Sequence, residues 1–242
     1  MNIRTVESTE EAQQASAERI NQILQETKKP ILFLISVSTI GFSHCNAILS
    51  HLEPQLFGLR ATIGVLDEKC SDDDTVNTFA QLTTTEFYKN ATGYGTQIID
   101  TYVYPEETMQ AHVIRFEEEL EQWRENNPEG MIITLMSIGS NGSVAGIMPN
   151  ENEAEFQKLW NTEQQIVGYD VSNNPFPRRV TTTPNFLREI DYAIVFVDGY
   201  KKILPYREYI TEEKSIHKQP AQILKKMKQV EIISTIHVDN KG

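Results

Sequence analysis

No stretch of the 242-residue chain approaches the ~20 consecutive apolar residues that a membrane-crossing helix needs. The first residues, MNIRTVESTEEAQQ, are polar and acidic and lack the apolar core of a secretory signal. A cytoplasmic protein without a membrane partner is the expectation. Cysteine is scarce: Cys45 and Cys70 stand in separate segments at no metal-ligand spacing. Two free thiols in a reducing compartment fit them better than a disulfide. No ligand cluster implies a metal, and no organic cofactor is implied either. Positive charge is also short, with 22 Lys and Arg against 34 Asp and Glu and a net charge of −12. Nucleic-acid backbones are held by clustered cations, so this balance argues against such a partner. A small anionic ligand answers to a few local charges and remains open. Repeats and low-complexity tracts are absent.

What is present is an alternation of helical and strand patterns along residues 1–242, read as a single domain. Residues 8–27 place Ala12, Ile20, Ile23 and Leu24 on one helical face. Pro30 ends that pattern, and Ile31 to Ile35 form an apolar run of the kind covered on both sides. Ser43 offers a cap for a further helix running towards His51. Residues 60–66 and 131–136 form two more buried strands, separated by a helix over 106–125 with Met109, Val113, Phe116, Leu120 and Trp123 as its apolar stripe. Tyr192 to Val197, a helix near Ala221 to Met227 and a strand from Val230 to Val238 complete the series. This order predicts an α/β fold: a three-layer α/β/α, Rossmann-like domain with a mainly parallel sheet.

Such sheets bind ligands at the carboxyl ends of their strands. Four polar segments sit there: Ser36 to Gly41, Asp67 to Asp74, Gly139 to Ser143 and Gly199 to Lys202. The hydroxyl-rich turn Ser36-Val37-Ser38-Thr39 can hold phosphate, although taken alone it reads rather as a capping turn. Asp67-Glu68 offers two adjacent carboxylates, of which one can face a site, as general base or as a ligand to a sugar hydroxyl. Capping by a loop aspartate explains the same pair. The stretch SIGSNGSVAGIMP, Ser137 to Pro149, concentrates three glycines around a tight turn but carries no His, Asp, Glu or Cys. Asn141 and Ser143 can form hydrogen bonds, yet an amide is no proton-transfer base at neutral pH. Arg178 and Arg179 before the Thr-rich strand Val180 to Thr183, and Lys201 with Lys202 after Gly199, are credible phosphate ligands.

In this order the segments resemble the motif series of the glucosamine-6-phosphate isomerase and 6-phosphogluconolactonase family, from about Pro30 to His237. Ser36-Val37-Ser38-Thr39 stands where the family has a phosphate loop with paired glycines. Asp67-Glu68-Lys69 matches its Asp-Glu-Arg or Asp-Glu-Tyr, and Val76-Asn77 resembles the dipeptide that follows. Ser137 to Ala145 is in register with Gly-Met/Ile-Gly-x-Asp-Gly-His-x-Ala. Arg179-Val180-Thr181, Gly199 to Lys202 and Gln219 to Leu224 resemble the remaining motifs.

The departures fall on the chemistry. The motif Asp is Asn141 and the motif His, the lactonase base, is Ser143; the paired glycines are Val37 and Ser38. The resemblance implies Asp67, Asn141 and Ser143 at catalytic positions, the last two altered. It implies Ser36, Ser38, Thr39, Lys69, Gly142, Arg179 and Lys202 as substrate ligands. His44 is the histidine placed to stand in for the missing one, a partly exposed helix residue being the plainer reading. The implied function is that of a 6-phosphogluconolactonase-like protein acting on or binding a small anionic sugar phosphate or sugar lactone. A catalytically silent binder is the alternative, and an isomerase using Asp67 stands behind both.

Overall fold

Five apolar residues in a row, Ile31–Ile35, send alternate side chains to opposite sides, so a strand made of them needs cover on both faces. The computed structural model, which describes residues 1–71, 73–171 and 176–238, supplies that cover. Leu32 and Leu34 enter one buried cluster, Ile31, Phe33 and Ile35 another, and all five are fully buried. This strand, β2, lies inside a seven-stranded parallel sheet. The order is β1 (Asn2–Thr5), β10 (Val230–Ser234), β9 (Tyr192–Val197), β6 (Met131–Met136), β2, β3 (Ala61–Val65) and β5 (Gln97–Ile98). In β9 the same alternation sends Val195 and Val197 to one cluster and Ile194 and Phe196 to the other.

Helices cover both faces. One cluster takes the apolar sides of α1 (Thr9–Glu26), α3 (Phe42–Ser50), α4 (Thr78–Thr83) and α5 (Glu86–Gly93). The other takes α6 (Met109–Asn126), α7 (Glu153–Trp160), α8 (Pro184–Glu189) and α9 (Ile203–Thr211). The expected three-layer α/β/α architecture is therefore the observed one. Among the described residues no helix is long and apolar enough to cross a membrane.

Several boundaries differ from the sequence reading, each for a local reason. The Ser36 to Gly41 segment is a single helical turn, α2 (Val37–Ile40), closed by the Gly41 N–H donating to Val37 O at 2.8 Å. Gly41, at φ +88°, then starts α3 as its N-cap, so Ser43 lies inside the helix and caps nothing. The helix expected from residue 106 begins at Met109, where the Thr108 hydroxyl accepts from the Ala111 N–H. The Ala221 to Met227 helix is a tight 3-10 stretch, Pro220–Lys226, and the last strand stops at Ser234. Of the Asp67 to Asp74 segment, Asp72 lies outside the described residues.

A second sheet escaped the sequence reading. β4 (Asp67–Lys69), β8 (Arg178–Thr182) and β7 (Ile166–Asp170) run antiparallel beside the carboxyl ends of the main sheet. Arg179 thus sits within a strand, paired with Lys69, and not at a parallel strand's end.

His112 on α6 is buried, its Nδ1 3.7 Å from Cys70 Sγ and 4.0 Å from Glu107. Burial first, and the Arg115 charge second, pull its pKa down to about 4. An unfolded histidine titrates near 6.5, so between pH 6.5 and 4 the unfolded chain takes up a proton that the fold does not, and stability falls as pH falls. The loss reaches about 3 kcal/mol for such a shift. A His112→Gln variant should lose measurably less stability than the parent between pH 7 and 4.5 in chemical denaturation. Parallel losses would contradict this.

Candidate active site

The topological switch lies between β2 and β6, because the chain leaves β2 towards β3 on one side and reaches β6 on the other. A cavity of about 530 Å³ opens there. All four predicted segments reach it, through Ser38 and Thr39, through Lys69, through Asn141 and Ser143, and through Gly199 to Lys202. Arg179, the cross-strand neighbour of Lys69 in the small sheet, completes it. Ser36, Asp67 and Gly142 do not line it.

Asp67 is wholly buried beneath the cavity. Its carboxylate accepts the Ser36 hydroxyl at 2.7 Å and, on the other oxygen, the Ser38 hydroxyl. The 137–149 loop closes over it: a Cβ at Gly146 (φ +71°) would stand 2.9 Å from the Asp67 Cβ, so only glycine fits. Thr181 fastens the same loop by donating to Ala145 O at 2.5 Å. Asp67 therefore pins the α2 turn to β4. Neither carboxylate of the pair faces the cavity. Glu68 is turned to the start of α4, accepting from the Lys69 and Phe79 N–H groups at 2.9 and 2.8 Å and from that of Thr78. Burial pushes its carboxyl up to about 8, against the pull of those three donors.

The α2 turn also answers what replaces the paired glycines. Val37 is buried in the core and Ser38 is occupied by Asp67, so neither side chain obstructs the cavity. On the loop, the Ser143 N–H donates to Asn141 Oδ1 at 3.1 Å, and Gly139 and Gly142 close the turn at 2.9 Å. Gly142 faces away, its missing Cβ site 2.9 Å from Gln219 Cγ, which makes it a packing residue.

The charged lining inverts the global balance: Lys69, Arg179, Lys201 and Lys202 against Asp198 alone. Arg179 is 4% exposed and its Nε has no hydrogen-bond partner; among the described residues it has no carboxylate partner either. Lys69 is its cross-strand neighbour, and burial together with the Arg179 charge lowers the Lys69 pKa. Lys202 donates to Thr39 O at 2.9 Å and to Ser137 Oγ at 2.6 Å, and burial brings its ammonium down to about 8 despite nearby Asp198. A half-buried lysine thus stands beside a buried arginine on one wall of the cavity. Sequence reading missed Asp198 and Met148 as lining residues. Asp198 could have been found, since it follows an apolar strand as Asp67 does. Among the described residues no three His, Cys, Asp or Glu side chains are placed to share a metal ion.

The fold and site together define an α/β protein with a cleft at its switch point whose charged lining is mainly cationic. The model of the family described as glucosamine-6-phosphate isomerases/6-phosphogluconolactonase matches residues 5–233, and the chain belongs to that family. Solved structures agree in fold. A 6-phosphogluconolactonase from Thermotoga maritima shares 18% identity at TM-score 0.71, covering 96% of this chain and 98% of that one. One from Trypanosoma brucei shares 17% at TM-score 0.74, covering 96% and 95%. A monomeric glucosamine-6-phosphate deaminase shares 15% at TM-score 0.71, covering 97% of each. No curated protein sequence matches the chain.

The Asp67 pin yields a stability test. Ser36→Ala removes a buried hydroxyl donor to a buried carboxylate and should cost about 1.5–3 kcal/mol, seen as a Tm several degrees lower. Ser38→Ala, at a half-buried position, should cost less. Unchanged stability in Ser36→Ala would show that Asp67 does not depend on this clamp.

Proposed function

We propose that this chain is a 6-phosphogluconolactonase-type protein, holding a small phosphorylated sugar lactone in the cavity and hydrolysing its ester. The observation that supports this reading is Arg179, a buried guanidinium whose Nε has no hydrogen-bond partner among the described residues, lining the cavity with Lys69 and Lys202 in an otherwise acidic chain. A phosphate supplies the missing acceptor oxygens, and arginine's planar fork suits it. Thr39 adds a hydroxyl from α2. The partner is thus a small anionic sugar phosphate, with neither nucleic acid nor membrane involved. The two unpaired cysteines, one buried and one half-buried, suit a cytoplasmic setting.

A second reading, binding without turnover, is favoured by Asn141 and Ser143, which leave the 137–149 loop without a proton-transfer group. The isomerase reading is disfavoured, because Asp67 is sealed under the loop and engaged by two hydroxyls.

Hydrolysis of freshly made 6-phosphogluconolactone should exceed the spontaneous rate and be lost in Lys202→Ala. No turnover alongside measurable 6-phosphogluconate binding would select the second reading, and no binding would reject both. Arg179→Ala should weaken 6-phosphogluconate binding about 10- to 100-fold, as expected for a lost charge-assisted bond.

Binding should also depend on pH. Anion affinity needs the protonated Lys202, whose pKa is about 8, so affinity should fall as pH rises from 7 to 9. Calorimetry on Lys202→Ala should show weaker binding without that step.

A further inference from the structure

A lysine is ordinarily a mobile point charge on a four-carbon stem, and it loses that freedom when it grips a ligand. Lys202 has given up that freedom already. Its Nζ, reaching from the turn after β9, donates to Thr39 O at 2.9 Å and to Ser137 Oγ at 2.6 Å. One ammonium therefore ties together the connections that leave β2, β6 and β9 at their carboxyl ends. Ser137, the first residue after β6, is fully buried and does not line the cavity, whereas Lys202 does. Its Oγ lies 3.4 Å from Ile138 O, which can take the hydroxyl proton and leave the oxygen's lone pairs to the ammonium. The motif that residues 137–145 resemble begins with glycine, which has no hydroxyl, so this contact comes from the present chain's own serine.

We propose that Ser137 is the positioning residue of Lys202, fixing the ammonium so that a single N–H is left for an anion in the cavity; this rests on the anion-binding reading above. An ammonium has three protons. The Thr39 carbonyl takes one and the Ser137 hydroxyl a second, which sets the direction of the third. A ligand oxygen then meets a donor that was ordered when the chain folded, so less freedom is lost on binding. Both partners are neutral, and the positive charge is kept for the ligand. A carboxylate in place of Ser137 would orient the lysine and cancel its charge together.

The same bond bears on when Lys202 is charged. Asp198 at the end of β9, Lys201 in the same turn, His44 on α3, and Lys69 with Arg179 on the small sheet all line its cavity. Burial brings the Lys202 pKa down to about 8, and Asp198 acts against that fall. A hydroxyl that accepts from the ammonium favours the charged form, so removing it moves the titration further down. Ser137 thus helps to set the upper pH at which Lys202 can hold an anion.

The test uses Ser137→Ala and Ser137→Gly, each alone and combined with Lys202→Ala. The Lys202 titration is followed by NMR on protein labelled at the lysine ε-carbon, assigned by the signal that Lys202→Ala loses. Affinity for 6-phosphogluconate and for inorganic phosphate is measured by calorimetry between pH 7 and 9. The expected result is a Lys202 midpoint about one pH unit lower in both Ser137 variants, the size of one lost bond to a charged group. At pH 8 this makes 6-phosphogluconate binding about fivefold weaker, with no further loss when Ser137→Ala is added to Lys202→Ala. An unchanged or raised midpoint would overturn the proposal and leave the anion site standing. Equal losses of affinity with and without Lys202 would make Ser137 structural and overturn it too, as would failure of both variants to fold. A parent protein that binds neither 6-phosphogluconate nor phosphate would remove the anion-binding reading, and this proposal with it, whatever the midpoint.

Discussion

The Asp67 carboxylate, buried between the Ser36 and Ser38 hydroxyls, sets the geometry on which the rest of the site depends. At this point the chain leaves the parallel sheet. The Leu66 N–H still donates to Ile35 O at 3.0 Å, continuing the β2–β3 ladder, and the next three residues belong to the antiparallel sheet. Unpaired, a carboxylate buried so deeply would be costly. The two hydroxyls that satisfy it come from Ser36 and Ser38 at the α2 turn, so that turn and the small sheet are joined at one carboxylate. Lys69, two residues on, inherits its position from that joint, and Arg179 inherits it through the cross-strand pairing.

This arrangement separates two demands usually made on the same residues. Anion recognition needs fixed, desolvated cations, and their mutual repulsion must be borne by the fold when no ligand is bound. Lys69 bears that cost: burial first, and the Arg179 charge second, lower its pKa. Lys202 is held by a carbonyl and a hydroxyl instead of a carboxylate, which orients it without neutralising it. The clamp around Asp67 and the threonine bonds of β8 supply the rigidity that keeps these charges together.

The parallel sheet was legible in the sequence because apolar runs such as Ile31–Ile35 and Tyr192–Val197 have one structural use. The rule that ligands gather at the carboxyl ends of such strands then pointed to Ser38, Thr39, Asn141, Ser143 and Lys202, all of which line the cavity. The antiparallel sheet was not legible, since β4 is three charged residues, Asp67–Lys69, with no alternation to announce a strand. Nor could spacing show that Asp67, Glu68 and Gly142 turn away from the cavity. That outcome depends on Ser38, Thr78, Phe79 and Gln219, brought close only by the fold. His44 was visible as a residue type in the right segment, but its partners Gln13 and Asp198 lie 31 and 154 positions away along the chain.

That long-range assembly bears on how a catalytic motif can change while its fold persists. A lactone carbonyl is planar, and water can be delivered to it from more than one side, so the proton acceptor need not sit at one motif position. On the proposed hydrolytic reading, the chemistry requires a proton acceptor within hydrogen-bond reach of the attacking water, together with a group that orients it. The sheet places the carboxyl ends of β2, β6 and β9 around one cavity, so a helix starting after β2 borders the same space as a loop leaving β6. On the proposed reading the cationic residues have no such freedom, because a bound phosphate would fix where the carbonyl lies. Under that proposal Asn141 and Ser143 are positions where the motif can change, whereas Arg179 and Lys202 set the frame against which any base must be aimed.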